Sequence, residues 1–145
     1  MKGSVALVGA GPGDPELLTL KALRCLQQAD LILYDALVDP EVLKLAPKAR
    51  RFYVGKRGGR PSFKQSDIEA LMIKAAKRGD YVVRLKCGDP FVLGRGGEEA
   101  IALAEAGVEF DIVPGVTSAI SAPLLAGIPV THRGVSPAFM MLSGH

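Results

Sequence analysis

Five short apolar runs, separated by segments with helical features, are the strongest constraint on how this chain folds. The runs span residues 5–8, 31–34, 51–55, 81–85 and 109–113. Runs of this length and composition, ended by glycine or polar residues, are typical of buried strands. Strands that alternate with helices are joined by right-handed crossovers and pair in parallel. The sequence therefore predicts an α/β fold with an open, mainly parallel five-stranded sheet flanked by helices.

Helix signals occupy the segments between these runs, at 15–29, 41–46, 66–79, 97–107 and 115–127. Pro15 is allowed in a first helical turn. Ser66 and Glu69 have the spacing of a capping box. In the last segment we expect Thr117 or Ser118 to cap the helix, which leaves backbone N–H groups free for an anionic group.

Length and composition exclude several classes of protein. The 145 residues, 48% apolar and 23% charged, suit one soluble domain. No apolar run is long enough for a membrane span or a signal peptide, so we expect a cytoplasmic protein. A net charge of +3 is too small to indicate nucleic-acid binding. Cys25 and Cys87 form no metal-binding or disulfide pattern, and no metal site is predicted.

Basic residues are concentrated between Lys48 and Lys64, a stretch without an acidic residue. The sequence leaves two interpretations open: a solvated loop, or a surface that binds an anionic partner.

The unusual loops of the chain should meet at one edge of the sheet. Ligands of open α/β sheets bind outside the carboxyl ends of the strands. This rule places residues 9–15, 35–38, 55–60, 86–97 and 114–118 on one rim. Two of these segments contain the tripeptide Gly-Asp-Pro, at 13–15 and 88–90.

The glycines of the first turn permit more than one function. Gly9, Gly11 and Gly13 resemble a dinucleotide-binding turn, and Asp35 stands where a ribose-binding acid could lie. Asp14, however, occupies the position of the third glycine of that pattern. The same glycines resemble the turn of ordinary Rossmann methyltransferases, and the turns could also be merely tight connections.

An ordered set of motifs favours one of these interpretations. The segments GAGPGDPELLTLKA, YDALV, VGKRGG, VVRLKCGDPFVLGRGGEE, VPGVTSAISAP and GIPVTHR follow one another at fitting intervals, and together they resemble the tetrapyrrole methylase family. The resemblance implies a fold distinct from the Rossmann methyltransferases. It also implies that residues 1–134 form the N-terminal domain and that 135–145 begin a second α/β domain that is otherwise absent. Residues 136–145 accordingly read as the start of a sixth strand.

The resemblance further implies a reaction and a cofactor. The reaction is transfer of methyl groups from S-adenosyl-L-methionine to uroporphyrinogen III, through precorrin-1 to precorrin-2, for siroheme or cobalamin. By motif, the cofactor-binding residues are Pro12, Cys87, Gly88, Asp89, Val92, Thr117 and Ser118. Cys87 stands where the family usually has glycine, so a positive φ there would be strained.

The resemblance also assigns the substrate side of the site. Asp35 is the expected proton acceptor and Lys56 the expected proton donor. The substrate is a tetrapyrrole polycarboxylate, whose carboxylates favour Arg and Lys; we expect some of Arg57, Arg60, Arg84 and Arg95 to contact them. His132 is as well explained by a structural role. A homodimer is expected.

Three alternatives remain open from the sequence. The chain could be another family member, acting on later corrin precursors, on diphthine intermediates or on ribosomal RNA. It could be a nicotinamide-dinucleotide-binding oxidoreductase. It could also be a binding or assembly module without activity.

Overall fold

A single parallel sheet organises the chain in the computed structural model, which describes residues 3–55 and 63–144. The strands are β1 (Ser4–Gly9), β2 (Leu31–Tyr34), β3 (Arg50–Tyr53), β4 (Tyr81–Lys86) and β5 (Phe110–Val113). Their order is β3-β2-β4-β1-β5, and all neighbouring strands are parallel. The predicted five-stranded α/β sheet is confirmed.

Helices cover both faces of this sheet. They are α1 (Leu20–Gln28), α2 (Pro40–Lys44), α3 (Gln65–Lys77), α4 (Gly96–Glu105) and α5 (Ser118–Leu125). One apolar core lies between the sheet and α1 and α2, and the other lies between the sheet and α3 and α4. None of the helices in the described ranges is long and apolar enough to cross a bilayer.

Two helix starts differ from the sequence prediction. The segment 15–29 is not one helix: a 3-10 turn over Pro15–Leu17 precedes α1, because the Asp14 carboxylate caps the turn and the Thr19 hydroxyl accepts a hydrogen bond from the Ala22 N–H. Helix α3 begins before Ser66, since the Asp67 carboxylate accepts the Lys64 N–H at 3.0 Å. The capping box predicted from Ser66 is therefore wrong.

The predicted sixth strand does not form in residues 136–144. The described backbone there makes one isolated bridge, between His132 and Ser136, and no ladder. A strand needs a neighbour that accepts and donates its backbone hydrogen bonds, and the described residues offer none. The division of the chain at residue 134 stays a prediction.

Candidate functional site

The carboxyl ends of the adjacent strands β4, β1 and β5 meet through glycine backbone. Strand β1 ends at Gly9, while Gly88 and Gly115 follow β4 and β5, and a Cβ built on Gly9 would lie 2.6 Å from both the Gly115 Cα and the Gly88 carbonyl oxygen. The turns are joined by two hydrogen bonds, from Gly11 N–H to Gly88 O (3.1 Å) and from Gly88 N–H to Gly11 O (2.7 Å). Side chains would separate these loops, so glycine is required for the close approach.

The aspartates of the two Gly-Asp-Pro turns hold backbone amides. Asp14 accepts the Glu16 N–H. Asp89 accepts the Phe91 N–H at 2.9 Å with one oxygen and the Gly115 N–H at 3.1 Å with the other. The repeated tripeptide thus orders two loops of the same rim, and Asp89 also links the loop after β4 to the loop after β5.

A cavity of about 410 Å³ opens at this rim. It brings together seven of the nine residues predicted for catalysis or cofactor binding. These are Asp35, Cys87, Gly88, Asp89, Val92, Thr117 and Ser118. Pro12 does not line this cavity, although it follows Gly11, which bridges to Gly88. Lys56, like Arg57 and Arg60, lies outside the described residues, so its predicted role stays a prediction.

Asp35 follows β2 and lines the cavity with a partly exposed carboxylate. Its Oδ1 accepts the Leu37 N–H at 3.2 Å. Its Oδ2 lies 3.6 Å from a terminal nitrogen of Arg84, within ion-pair range but beyond a good hydrogen bond. One oxygen is therefore fixed by the backbone, and the other has lone pairs available to a ligand proton.

Cys87 adopts no positive φ, so cysteine causes no backbone strain at this position. Its Sγ faces the Gly11 carbonyl oxygen at 3.7 Å. Burial raises the pKa of the Cys87 thiol, the negative charge of Asp35 adds to this, and a backbone hydrogen bond at Gly88 opposes it. A thiol that stays protonated is a poor nucleophile, and the geometry favours a packing role.

The first turn of α5 forms another wall. The Thr117 hydroxyl caps this helix by accepting the Ala119 N–H at 3.3 Å. Ser118 occupies the first turn, where backbone N–H groups have no acceptor within the helix. The predicted cap is confirmed. The Ala119 and Ile120 N–H groups are bonded to the Thr117 hydroxyl and carbonyl oxygens, so the Ser118 N–H is the amide of this turn that a polar ligand group at the cavity could use.

The loop after β4 contains two residues in the left-handed region, Leu93 (φ 52°) and Arg95 (φ 58°). Both line the cavity. Arg95 is exposed and pairs with Glu98 at 2.6 Å. Two nitrogens of Arg95 are bonded to Glu98, and the prediction that Arg95 meets a substrate carboxylate stays a prediction.

Sequence reasoning missed a buried network of charges behind the cavity. Glu99 of α4 is fully buried, and its Oε1 accepts hydrogen bonds from Arg84 Nε (3.0 Å) and Gln65 Nε2 (3.2 Å). The Lys86 ammonium lies 3.1 Å from Glu99 Oε2. Arg84 and Lys86 alternate on β4 and so point to the same face. The signal available in the sequence was the i, i+2 spacing of these two cations on a strand, followed by an acid near the start of the next helix.

Arg84 lines the cavity but is held by protein groups. Its side chain is only 5% exposed, and its nitrogens are engaged by Glu99, Asp35 and the Leu33 and Leu85 carbonyl oxygens. Of the arginines predicted to meet substrate carboxylates, Arg84 therefore has little donor capacity left, because it bridges Glu99 and Asp35. The His132 ring is near its neighbour's carbonyl oxygen and lies outside the cavity lining, in keeping with a structural role.

Comparison with known proteins supplies the context for this site. The family model of tetrapyrrole (corrin/porphyrin) methylases matches residues 4–144. A uroporphyrinogen-III C-methyltransferase from Methanobacterium ivanovii is 56% identical over 97% of this chain and 61% of its own length. A siroheme synthase from Baumannia cicadellinicola subsp. Homalodisca coagulata is 54% identical over 99% of this chain and 31% of its own length.

A solved structure agrees in fold. The uroporphyrin-III C-methyl transferase from Thermus thermophilus, complexed with S-adenyl homocysteine, has a TM-score of 0.80 and 52% identity, covering 94% of this chain and 57% of that one. This chain thus spans about 60% or less of the relatives that it matches. It belongs to the tetrapyrrole (corrin/porphyrin) methylase family.

Proposed function

We propose that this protein methylates uroporphyrinogen III with S-adenosyl-L-methionine as the methyl donor, through precorrin-1 to precorrin-2, for siroheme or cobalamin. The observation that carries the proposal is the cavity in which the Asp35 carboxylate, the Gly88 backbone and the first turn of α5 face one another. The names of the relatives support this reaction. A homodimer is part of the proposal by family resemblance.

The residues of the cavity fit the methyl donor. Gly88 has φ +65°, and a Cβ built there would meet nothing closer than the Thr117 Cα at 3.6 Å, so its backbone is open to a ligand. Val92 offers an apolar contact, and the start of α5 offers the Ser118 N–H. These residues, with Pro12, Cys87, Asp89, Thr117 and Ser118, would hold the cofactor.

S-adenosyl-L-methionine supplies, when bound, a methyl group already activated by a positively charged sulfur. The protein then has to align a nucleophilic pyrrole carbon with the carbon–sulfur bond and exclude water. As the new carbon–carbon bond forms and the carbon–sulfur bond breaks, the macrocycle must lose a proton. We assign acceptance of this proton to Asp35 Oδ2, whose lone pairs face the cavity. Lys56 is proposed as the donor that reprotonates the macrocycle.

The test uses an Asp35→Asn variant of the full chain. Methyl transfer from labelled S-adenosyl-L-methionine to uroporphyrinogen III should fall by about 100-fold or more, the usual contribution of a general base. Binding of S-adenosylhomocysteine, measured by calorimetry, should be retained. Asp111→Asn is the matched control, because Asp111 is exposed on β5 and pairs with Lys21. Unchanged turnover in Asp35→Asn would contradict the assignment, and binding of reduced nicotinamide cofactor instead would contradict the reaction.

A further inference from the structure

Lys86 is a buried cation that the proposed reaction does not yet use. Its side chain is 6% exposed, yet it lines the same cavity as Asp35 and Gly88. Its aliphatic stem packs under the loop after β4, where a Cβ on Gly94 would lie 3.4 Å from Lys86 Cε. The ammonium group is thus fixed at the cavity wall by packing as well as by charge.

The buried network leaves Lys86 with binding capacity that Arg84 lacks. All three nitrogens of Arg84 have protein partners. The Lys86 ammonium has three N–H groups and, within the described residues, one ion-pair partner, Glu99 Oε2. That 3.1 Å contact occupies at most one of the three N–H groups, so the ammonium keeps donors at the wall of the cavity that it lines.

The fully buried part of the wall holds one more cation than carboxylates, and the partly exposed Asp35 carboxylate balances the total. Arg84 and Lys86 are two buried cations, and Glu99 is one buried carboxylate that both of them share. Asp35 lies on the Arg84 side of this group and is the more exposed, at 28%. Buried ion pairs are weak contributors to stability compared with apolar packing, which leaves a binding role as the better reason for a lysine here.

We propose that the Lys86 ammonium binds a carboxylate of the ligand in this cavity. This inference deepens the proposed function and rests on it. Two sources of such a carboxylate exist in that reaction: the amino-acid end of the methyl donor, and the carboxylate side chains of the tetrapyrrole. The bound carboxylate would complete the hydrogen bonding of the ammonium, and Glu99 would hold that ammonium in place from behind.

The experiment measures two ligands by calorimetry, S-adenosylhomocysteine and uroporphyrin III, on the full chain and on Lys86→Met. Loss of a charge-assisted hydrogen bond should weaken one of the two by about tenfold or more and identify the source of the carboxylate. Lys74→Met is the matched control, because Lys74 is exposed on α3. Equal affinities of Lys86→Met and Lys74→Met for both ligands would overturn the inference.

A second measurement on the unaltered protein keeps the test decisive if Lys86→Met fails to fold. Burial, then the Arg84 charge, holds the pKa of Lys86 below the lysine value of 10.5, while Glu99 opposes the shift. A carboxylate beside the ammonium raises that lowered pKa, so binding should take up a proton at pH values between the pKa of Lys86 in the free protein and its pKa in the complex. Calorimetry in buffers of different ionisation enthalpy detects this uptake, and its absence would refute the inference.

The two proposals fail in different ways. An unaltered protein that binds neither S-adenosylhomocysteine nor uroporphyrin III refutes the proposed function and this inference with it. An unaltered protein that binds its ligands, with Lys86→Met binding them equally well, refutes only the role of Lys86.

Discussion

Replacement of Gly115 by alanine should lower the free energy of unfolding by more than replacement of a glycine whose added Cβ would meet no neighbouring atom. Gly115 follows β5, and its φ lies outside the left-handed region, so alanine brings no backbone strain of its own. The new Cβ would overlap the Gly88 carbonyl oxygen and lie 2.8 Å from Gly9 Cα. Every obstructing atom belongs to backbone, which cannot turn aside as a flexible side chain can.

The loops after β1, β4 and β5 must therefore move apart for the alanine to fit. Overpacking of this kind costs about 3 kcal/mol, the upper part of its usual range, because no rotamer relieves it. Urea unfolding followed by circular dichroism should show the midpoint lowered by about 1 M or more. Binding of S-adenosylhomocysteine should weaken in the same variant, since the Asp89 bond to the Gly115 N–H joins two walls of the cavity.

Gly107→Ala is the matched control. Gly107 has φ +65°, and a Cβ placed on it would meet nothing within 4 Å, so alanine there incurs only the left-handed penalty, roughly 1 kcal/mol. If Gly115→Ala loses no more stability than Gly107→Ala, the glycine contact between the three strand ends is not what holds the rim together.

Three further predictions concern the charged network and the helix cap. Glu99→Gln should lower the free energy of unfolding, measured by urea titration, by about 3 to 5 kcal/mol, because it removes the carboxylate shared by two buried cations. Glu105→Gln, at an exposed position of the same helix, should change it by about 0.5 kcal/mol or less. Equal losses in the two variants would contradict this prediction. The pKa of Lys86 is lowered in the folded protein, so the unfolded chain binds more protons at pH values between that pKa and 10.5. The free energy of unfolding should therefore rise with pH through this window, and the rise should be smaller in Lys86→Met. Identical pH profiles of the two proteins would refute the prediction. Thr117→Val removes the cap on the Ala119 N–H and should cost about 1 kcal/mol in thermal unfolding, whereas an unchanged midpoint would show that the cap contributes nothing.

Local sequence was sufficient for the architecture and for the rim. Apolar runs bounded by glycine and polar residues predict buried strands whatever their partners, and the crossover rule then makes them parallel. The strand-end rule also placed the loops that carry Gly9, Gly88 and Gly115 on one rim, although their direct backbone contact appears only in the structure. The cap at Thr117 could also be predicted from sequence, because a helix cap depends only on residues a few positions away.

Long-range packing decided what the charged residues do. From sequence, Arg84 is predicted as a possible contact of a substrate carboxylate, and no local pattern assigns a partner to Lys86 or Glu99. The structure buries Arg84, Lys86 and Glu99 together because Glu99 of α4 reaches the two cations of β4. The nitrogens of Arg84 are then bound by protein groups, while the Lys86 ammonium keeps N–H donors for a ligand in the cavity. The sequence alone determined where the strands end and which backbone can approach closely, because these depend on neighbouring residues. The tertiary structure decided which charges are neutralised, because burial and ion pairing depend on groups distant in the chain.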